Sequence, residues 1–402
     1  MRPFTSTISV DEARRRLANA TVPITRVERV PVSEAAGRVA AADVTSPMDV
    51  PPFSRSAMDG YAVRAVDTAG AAPSAPARLR VLERIYTGAP PTQQLTSGAC
   101  SEIATGAPIP PGSDAVVMVE DTVPVDTDHV DITKAATVGQ HIGRQGADMR
   151  AGSLVIRAGD LLHTSRLGAL AAIGATTVAV YARPRVAIIS NGNEVVPPGA
   201  VLAPGQVYDI NRVTLSAIVE ANGGLADARP HVDDRLDALI DALDACTDAD
   251  LIVCSGGSSV GERDLVLDAV RARGEVLFHG IAVRPGKPTG FARLGTTPLF
   301  AMPGNPSSCL SNAFILLVPY LRALARLPVY DPRTVTVPLG RAIVSPAGRH
   351  QFYTVRLADG CAWPAFKGSG EITSLSQADG YIEIPADQDG VAEGAMVRVT
   401  LF

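Results

Sequence analysis

Five short segments hold the side chains of this 402-residue chain best suited to bind and polarise an anionic substrate. Asn191-Gly192-Asn193-Glu194 and Asp233-Asp234 supply carboxylates. Ser255-Gly256-Gly257-Ser258-Ser259-Val260-Gly261-Glu262-Arg263-Asp264 joins a glycine-serine loop to further charge. Pro303-Gly304-Asn305-Pro306-Ser307-Ser308 opens onto an apolar run, and Arg284-Pro285-Gly286-Lys287-Pro288 adds two cations. Glycines let backbone N–H groups approach a ligand and form an anion-binding concavity. A helix start favours negative charge in the same way. Carboxylates repel an anion unless a cation sits between them; Mg2+ bridging Glu194 or Asp264 to a phosphate would resolve the conflict, so the pattern implies a metal without naming it.

Each feature also has a plainer structural explanation. Asp233, Asp234 and Asp264 could simply cap helices, a contribution of about 1 kcal/mol each. Asn191-Gly192 reads as a turn, Lys287 as a solvated charge, and the Pro-Gly-Asn-Pro loop as the end of a strand and start of a helix. Only their convergence on one edge of one domain favours a site.

That convergence depends on the elements between them. From about 183 to 327, short buried-strand runs (VAIIS, LIVC, EVLFHGI, PLFAM) alternate with amphipathic segments (RVTLSAIVEANGG, RLDALIDALDAC, DLVLDAVRARG, SSCLSNAFILLVPYL). Such alternation predicts an α/β domain with a mainly parallel sheet, and ligands of such sheets sit beyond the carboxyl ends of the strands. Ser9-Val10-Asp11-Glu12 has the form of a capping box and predicts a first helix. Between about Pro47 and Gln145, the β-type runs YAVRAV, RLRVLERI, AVVMVE and HVDIT are separated by turn residues, as in an inserted β-rich domain. Short strands return after about 332, with turns at Ala358-Asp359-Gly360, Ala378-Asp379-Gly380 and Gln388-Asp389-Gly390, and predict a small C-terminal β-barrel. The expected organisation is α/β plus β and multidomain. A discontinuous linking domain (1–46 and 146–180) would carry the β-rich insert (47–145), followed by the α/β domain (181–327) and the C-terminal barrel (328–402).

Composition narrows the functional classes. A net charge of −5, from 36 basic and 41 acidic residues, disfavours a nucleic-acid binder. Five cysteines, odd in number and never spaced C-x-x-C, fit reduced thiols in a reducing compartment. No signal peptide is expected, since Asp11 and Glu12 come early. The longest uninterrupted apolar run, Phe314 to Val318, is far short of a membrane span. A cytoplasmic protein with no membrane partner is the expectation.

Ser56-Ala57-Met58-Asp59-Gly60-Tyr61-Ala62-Val63, GGSSVGERD and the Pro-Gly-Asn-Pro loop occur in this order in molybdopterin molybdenumtransferases, and the chain resembles that family over essentially its whole length. Thr105-Gly106-Ala107-Pro108 and Arg144-Gln145-Gly146-Ala147-Asp148 share in the resemblance, which extends to the E domain of gephyrin. It implies an enzyme that inserts molybdate into adenylylated molybdopterin, with Mg2+ assisting release of AMP. It further implies a homodimer whose site lies between the α/β domain of one subunit and the inserted and C-terminal domains of the other. The pterin adenylyltransferase of the preceding step would be a natural partner.

Carried over position by position, the resemblance makes Asp59, Asp148, Glu194, Asp233, Asp264 and Lys287 candidate catalytic residues, with Glu194 and Asp264 at the metal. The adjacent Asp234 leaves the Asp233 match open. Thr105, Gly256, Gly257, Ser259, Gly261, Arg284, Pro303, Gly304, Asn305, Pro306 and Ser369 become candidate substrate contacts. Three positions depart from the family pattern: Asn193 stands for an aspartate, Arg284 for a lysine and Ser258 for an apolar residue. Arginine and lysine are not interchangeable at a phosphate site. Rival readings are a pterin adenylyltransferase, a dimeric binding or scaffold module without turnover, and a nucleotide pyrophosphatase built on the α/β domain.

Overall fold

The computed structural model describes residues 7–256, 265–345 and 347–402. The chain separates into two compact units, one of residues 1–28, 37–39 and 180–402, the other of residues 29–36 and 40–179.

In the first unit, helix α1 (Val10–Ala20) starts as the capping motif predicts, with Ser9 Oγ accepting the Glu12 N–H at 3.1 Å. The reciprocal half of the box is replaced: the Glu12 carboxylate takes Arg15 and Arg16 instead, at 2.7–2.8 Å. The α/β region runs β1 (Arg185–Ser190), α2 (Ile210–Ala221), β2 (Leu225–Ala228), α3 (Leu236–Asp244), β3 (Leu251–Ser255), α4 (Leu265–Arg273), β4 (Glu275–His279), β5 (Gly290–Leu294), β6 (Thr297–Met302) and α5 (Pro306–Asn312). Its sheet has the order β2-β1-β3-β6-β5-β4. The first four strands are parallel, and β5 is antiparallel to both its neighbours.

Both faces of this sheet are covered, which is why its strands read as continuous apolar runs. Val186 and Ile188 of β1 join a core with α1, α2 and the rings of Phe291, Phe300 and Tyr320. Ala187 and Ile189 point the other way, into a core with α3 and α4. Phe291 meets Phe300 and Tyr320 edge-on, with ring centres 4.9 and 5.3 Å apart, the geometry the ring quadrupoles favour.

Helix α5 continues through a π turn, Ala313–Leu317, into Val318–Leu324. Pro319 has no N–H to offer the Ile315 carbonyl one turn earlier, and Arg14 of α1 donates its Nε there at 3.5 Å. The whole helix, Pro306–Leu324, is 19 residues long with a mean hydropathy of 1.3, enough by length and composition to cross a membrane, yet it is 72% buried inside the protein. It is the central helix of the first core.

The last residues of this unit form a sheet in which Val283–Arg284, His350–Ala358, Gly380–Ile384, Met396–Leu401 and Thr334–Pro338 lie side by side, with Cys361–Pro364 paired to His350–Ala358. A bridge between Leu339 and Ala362 links the far edge to that extra strand. Strand Val283–Arg284 belongs to the α/β segment of the sequence but pairs in parallel with His350–Gln351. This pairing ties the end of the chain to the strand-edge loops.

The second unit is built on a six-stranded sheet, in the order Ala115–Met118, Gly60–Val63, Ala99–Ile103, Ala77–Ile85, His129–Ile132 and Thr122–Pro124. The predicted strand YAVRAV stops at Val63, and Ala65–Thr68 is a 3-10 turn. Asp114 Oδ1 accepts the Ala65 N–H at 2.6 Å and turns the chain there.

Candidate active site

A cleft of about 1020 Å³ opens in the first unit at the carboxyl ends of β1, β3 and β6, where an open α/β sheet takes its ligands. Asn191 and Glu194 follow β1, Ser255 and Gly256 end β3, and Pro303 to Pro306 follow β6. Arg284 and Lys287 form another wall, and Arg349 and residues 366–370 close it from the C-terminal segment. The structure therefore brings Glu194, Gly256, Arg284, Lys287, Pro303, Gly304, Asn305, Pro306 and Ser369 together, as the strand-edge argument requires. Gly257, Ser259, Gly261 and Asp264 lie outside the described residues.

The walls are stitched by short hydrogen bonds. Asn305 Nδ2 donates to Ser369 Oγ at 3.2 Å, and Ser307 reaches the Ser369 carbonyl through its N–H at 3.2 Å and its Oγ at 2.7 Å. Two candidates 64 positions apart in sequence are thus direct partners. Their C-terminal wall comes from the same chain, in contrast to the expectation that it reaches the cleft from a second copy. The reason is the pairing of Val283–Arg284 with His350–Gln351, which seats the C-terminal sheet beside the cleft.

Of the adjacent aspartates, Asp233 is exposed and Asp234 is the one tied to the first loop. Asn191 Nδ2 donates to Asp234 Oδ1 at 2.8 Å, and Asn193 Oδ1 accepts the Asp234 N–H at 3.1 Å. Asn193, which replaces an acidic residue of the family pattern, ties the loop to Asp234 through its side-chain oxygen, an acceptor that an aspartate would also supply. Glu194 stands exposed on the rim of the cleft. Asp209 also lines it but is buried, with its carboxylate spent as the N-cap of α2 on the Arg212 N–H at 2.9 Å.

The cleft offers no activated cysteine. Cys254 and Cys309, next in sequence to the lining residues Ser255 and Ser308, are fully buried, and burial pushes both thiols far above the range in which a thiolate forms.

Sequence reasoning missed Arg349, Phe366 and Asn211, which all line the cleft. Arg349 had a legible signal as a basic residue before a strand, but only the pairing of distant strands gives it a destination. Asn211, inside an amphipathic helix, had none.

Asp59, Thr105 and Asp148 belong to the second unit. There Asp59 and Thr105 meet: Asp59 Oδ1 accepts the Thr105 N–H at 2.8 Å. The motif needs Gly60, because a Cβ there would stand 1.9 Å from the Val117 carbonyl oxygen of the neighbouring strand. Asp148 is exposed, its N–H donating to the Val50 carbonyl at 3.0 Å.

Among the described residues no three His, Cys, Asp or Glu side chains converge as a ready-made metal cage. Mg2+ does not require one, since it is commonly held by one or two carboxylates, waters and the substrate's own phosphates. Glu194 on the cleft rim supplies one such carboxylate, and Arg284 and Lys287, being cations, are suited to the phosphates and not to the ion.

Comparison with known proteins agrees with this architecture. Residues 8–174 match the model of the MoeA N-terminal region (domain I and II), residues 187–323 that of a probable molybdopterin binding domain, and residues 336–402 that of the MoeA C-terminal region (domain IV). The chain is 38% identical to molybdopterin molybdenumtransferase 2 of Mycobacterium tuberculosis over 97% of its own length and 98% of the relative's. It is 30% identical to the molybdopterin molybdenumtransferase of Haemophilus influenzae over 98% of both chains. A molybdopterin biosynthesis MoeA protein from Pyrococcus horikoshii superposes with a TM-score of 0.86 at 37% identity, covering 98% of this chain and 99% of that one. With its mixed α/β and β units, the cleft at the strand ends and relatives matched end to end, the chain belongs to the molybdopterin molybdenumtransferase family.

Proposed function

We propose that the chain is a molybdopterin molybdenumtransferase, inserting molybdate into adenylylated molybdopterin with Mg2+-assisted release of AMP. One observation carries this reading: a single cleft combines Arg284, Lys287 and Arg349 with Glu194 and the Pro-Gly-Asn-Pro loop, in a chain matched end to end by enzymes of that name. Lys287 neutralises phosphate or molybdate as a point charge, while Arg284 and Arg349 grip oxyanions through planar forks. Pro303 and Pro306 frame Gly304 and Asn305, and the seam to Ser369 keeps that wall in place. Mg2+ held between Glu194, Asp264 and the substrate phosphates would draw charge from the phosphoryl oxygens. Gly256, Gly257, Ser259 and Gly261 would present backbone N–H groups to the same anion.

Asp59, Thr105 and Asp148 would act in a homodimer in which the second unit of one subunit completes the cleft of the other. The C-terminal strands would close into the expected small barrel, a reading supported by the bridge between Leu339 and Ala362. Hand-over of the pterin by its adenylyltransferase and a cytoplasmic location belong to the same reading.

The alternative of a binding or scaffold module without turnover draws on one observation, the Asn191 and Asn193 latch, which leaves Glu194 the sole acidic residue of its loop. AMP release from adenylylated molybdopterin, followed with and without molybdate and Mg2+, separates the two. Release that needs both, with molybdenum retained on the pterin, is the expected result. Tight binding without release would replace the transferase by the binding module.

A further inference from the structure

We infer that two buried asparagines, Asn211 and Asn312, are positioning residues that hold the two loops of the cleft, and that the amide hydrogens are the reason asparagine stands at both places. The functional half of this inference rests on the oxyanion reading of the cleft given above.

Asn211, in the first turn of α2, is 7% exposed. Its Nδ2 donates to the Gly304 carbonyl at 2.9 Å and, less closely, to the Pro303 carbonyl at 3.4 Å. Asn312, the last residue of α5, is completely buried. Its Nδ2 donates to the Gly286 carbonyl at 2.8 Å and to Thr289 Oγ1 at 2.6 Å. Thr289 in turn donates its Oγ1 to the Gly286 carbonyl at 3.0 Å, which closes the turn that carries Lys287. Gly286 has φ +101°, and a Cβ there would fall 2.1 Å from Asn312 Nδ2. Glycine and asparagine are therefore matched. The π turn that begins right after Asn312 adds to the case, because such turns are concentrated at functional sites.

The other half of each side chain argues against a purely stabilising role. The Oδ1 atoms of Asn211 and Asn312 are both buried without a hydrogen-bond partner among the described residues. Leaving such an acceptor unpaired is destabilising. A leucine of similar volume would remove that acceptor but would leave the Gly304 or Gly286 carbonyl short of a donor. What it could not do is hold a backbone carbonyl in place. At each place asparagine supplies an amide donor aimed at a loop bearing cleft residues: Gly304 and Asn305 in one case, Arg284 and Lys287 in the other.

The test uses Asn312→Leu and Asn211→Leu in the full chain, with Asn312→Asp and Asn211→Asp as variants that keep size but lose the donors. Hydrogen exchange on the protein without ligand should quicken at residues 283–290 for Asn312→Leu and at 303–307 for Asn211→Leu, with the core strands unchanged. Calorimetric binding of inorganic molybdate and of AMP, measured per folded molecule well below each variant's melting temperature, should weaken about tenfold, as the loss of two net hydrogen bonds implies. Unchanged exchange in those loops overturns the inference. So does wild-type binding per folded molecule combined with a lower melting temperature, the result of a purely structural role. If the wild-type protein itself binds neither probe, the oxyanion reading fails instead, and loop exchange alone decides whether the asparagines position the walls.

Discussion

Glu194 and Asp59 are both exposed carboxylates in turns that contain glycine, yet their surroundings differ. One oxygen of Asp59 is committed to the Thr105 N–H, so its presence already has a local explanation in the shape of the turn. Glu194 stands at the rim of a cleft with two arginines and a lysine on its other walls. A carboxylate placed among cations and exposed to a ligand is explained by what it will bind, whereas one satisfied by its own turn needs independent proof of a further role.

The largest effect should come from the cationic wall. Lys287→Ala is expected to lower kcat/KM for AMP release by about 10²-fold or more, the scale seen when a preorganised electrostatic group is removed, while the melting temperature moves little. Retained turnover in that variant would reduce Lys287 to a surface charge. Glu194→Gln should follow with a loss of about tenfold or more that excess Mg2+ partly restores, if the carboxylate orients the ion. Indifference to Mg2+ in both proteins would remove the metal from that wall.

Asp59 sharpens the comparison further. Asparagine keeps an oxygen for the Thr105 N–H, so Asp59→Asn should preserve stability, whereas Asp59→Ala should cost about 1 kcal/mol. If the second unit contributes to catalysis, turnover falls in Asp59→Asn as well. Normal turnover there would leave Asp59 only its turn.

The smallest effect concerns the support behind Arg349. The neighbouring residue His350 and Arg14 of α1 both reach Glu383 Oε2, at 2.6 and 3.0 Å. Burial alone would raise the Glu383 carboxyl, but these two partners outweigh it and hold the group below its usual range. A depressed carboxyl stabilises the fold above its unfolded pKa, about 4.3 for a glutamate, and that stability is lost as pH falls through the lower folded value. Glu383→Gln should therefore lower the melting temperature at neutral pH by a few degrees, roughly 1 kcal/mol. The gap should close toward acid in melting curves run from pH 7 to 3. A gap that is independent of pH would mean that packing, not charge, is what Glu383 supplies.

Much of this was legible in the sequence. The alternation of apolar strand runs with amphipathic segments foretold the α/β sheet, because a strand covered on both faces has no polar side to show. The strand-edge rule then placed Glu194, Arg284, Lys287 and the Pro-Gly-Asn-Pro loop at one cleft. Strand β5, Gly290–Leu294, was missed: it opens with glycine, carries Arg293 and ends in a tight turn, so nothing in its text separates it from the loops on either side. YAVRAV was read three residues too far, since a single aspartate 49 positions away bends it into a 3-10 turn.

Most strands and helices, the charge of the loops and the family resemblance could be read along the chain. These depend on side-chain period and local chemistry, and both are written along the chain. The folded chain was needed to show that Asp234 rather than Asp233 meets the Asn191 loop, that Ser369 joins Asn305, and that Arg349 reaches the cleft. It also decided that two asparagines inside apolar helices hold the walls. Each of these rests on a contact between segments remote in sequence, and the direction of a buried side chain is set by everything packed around it.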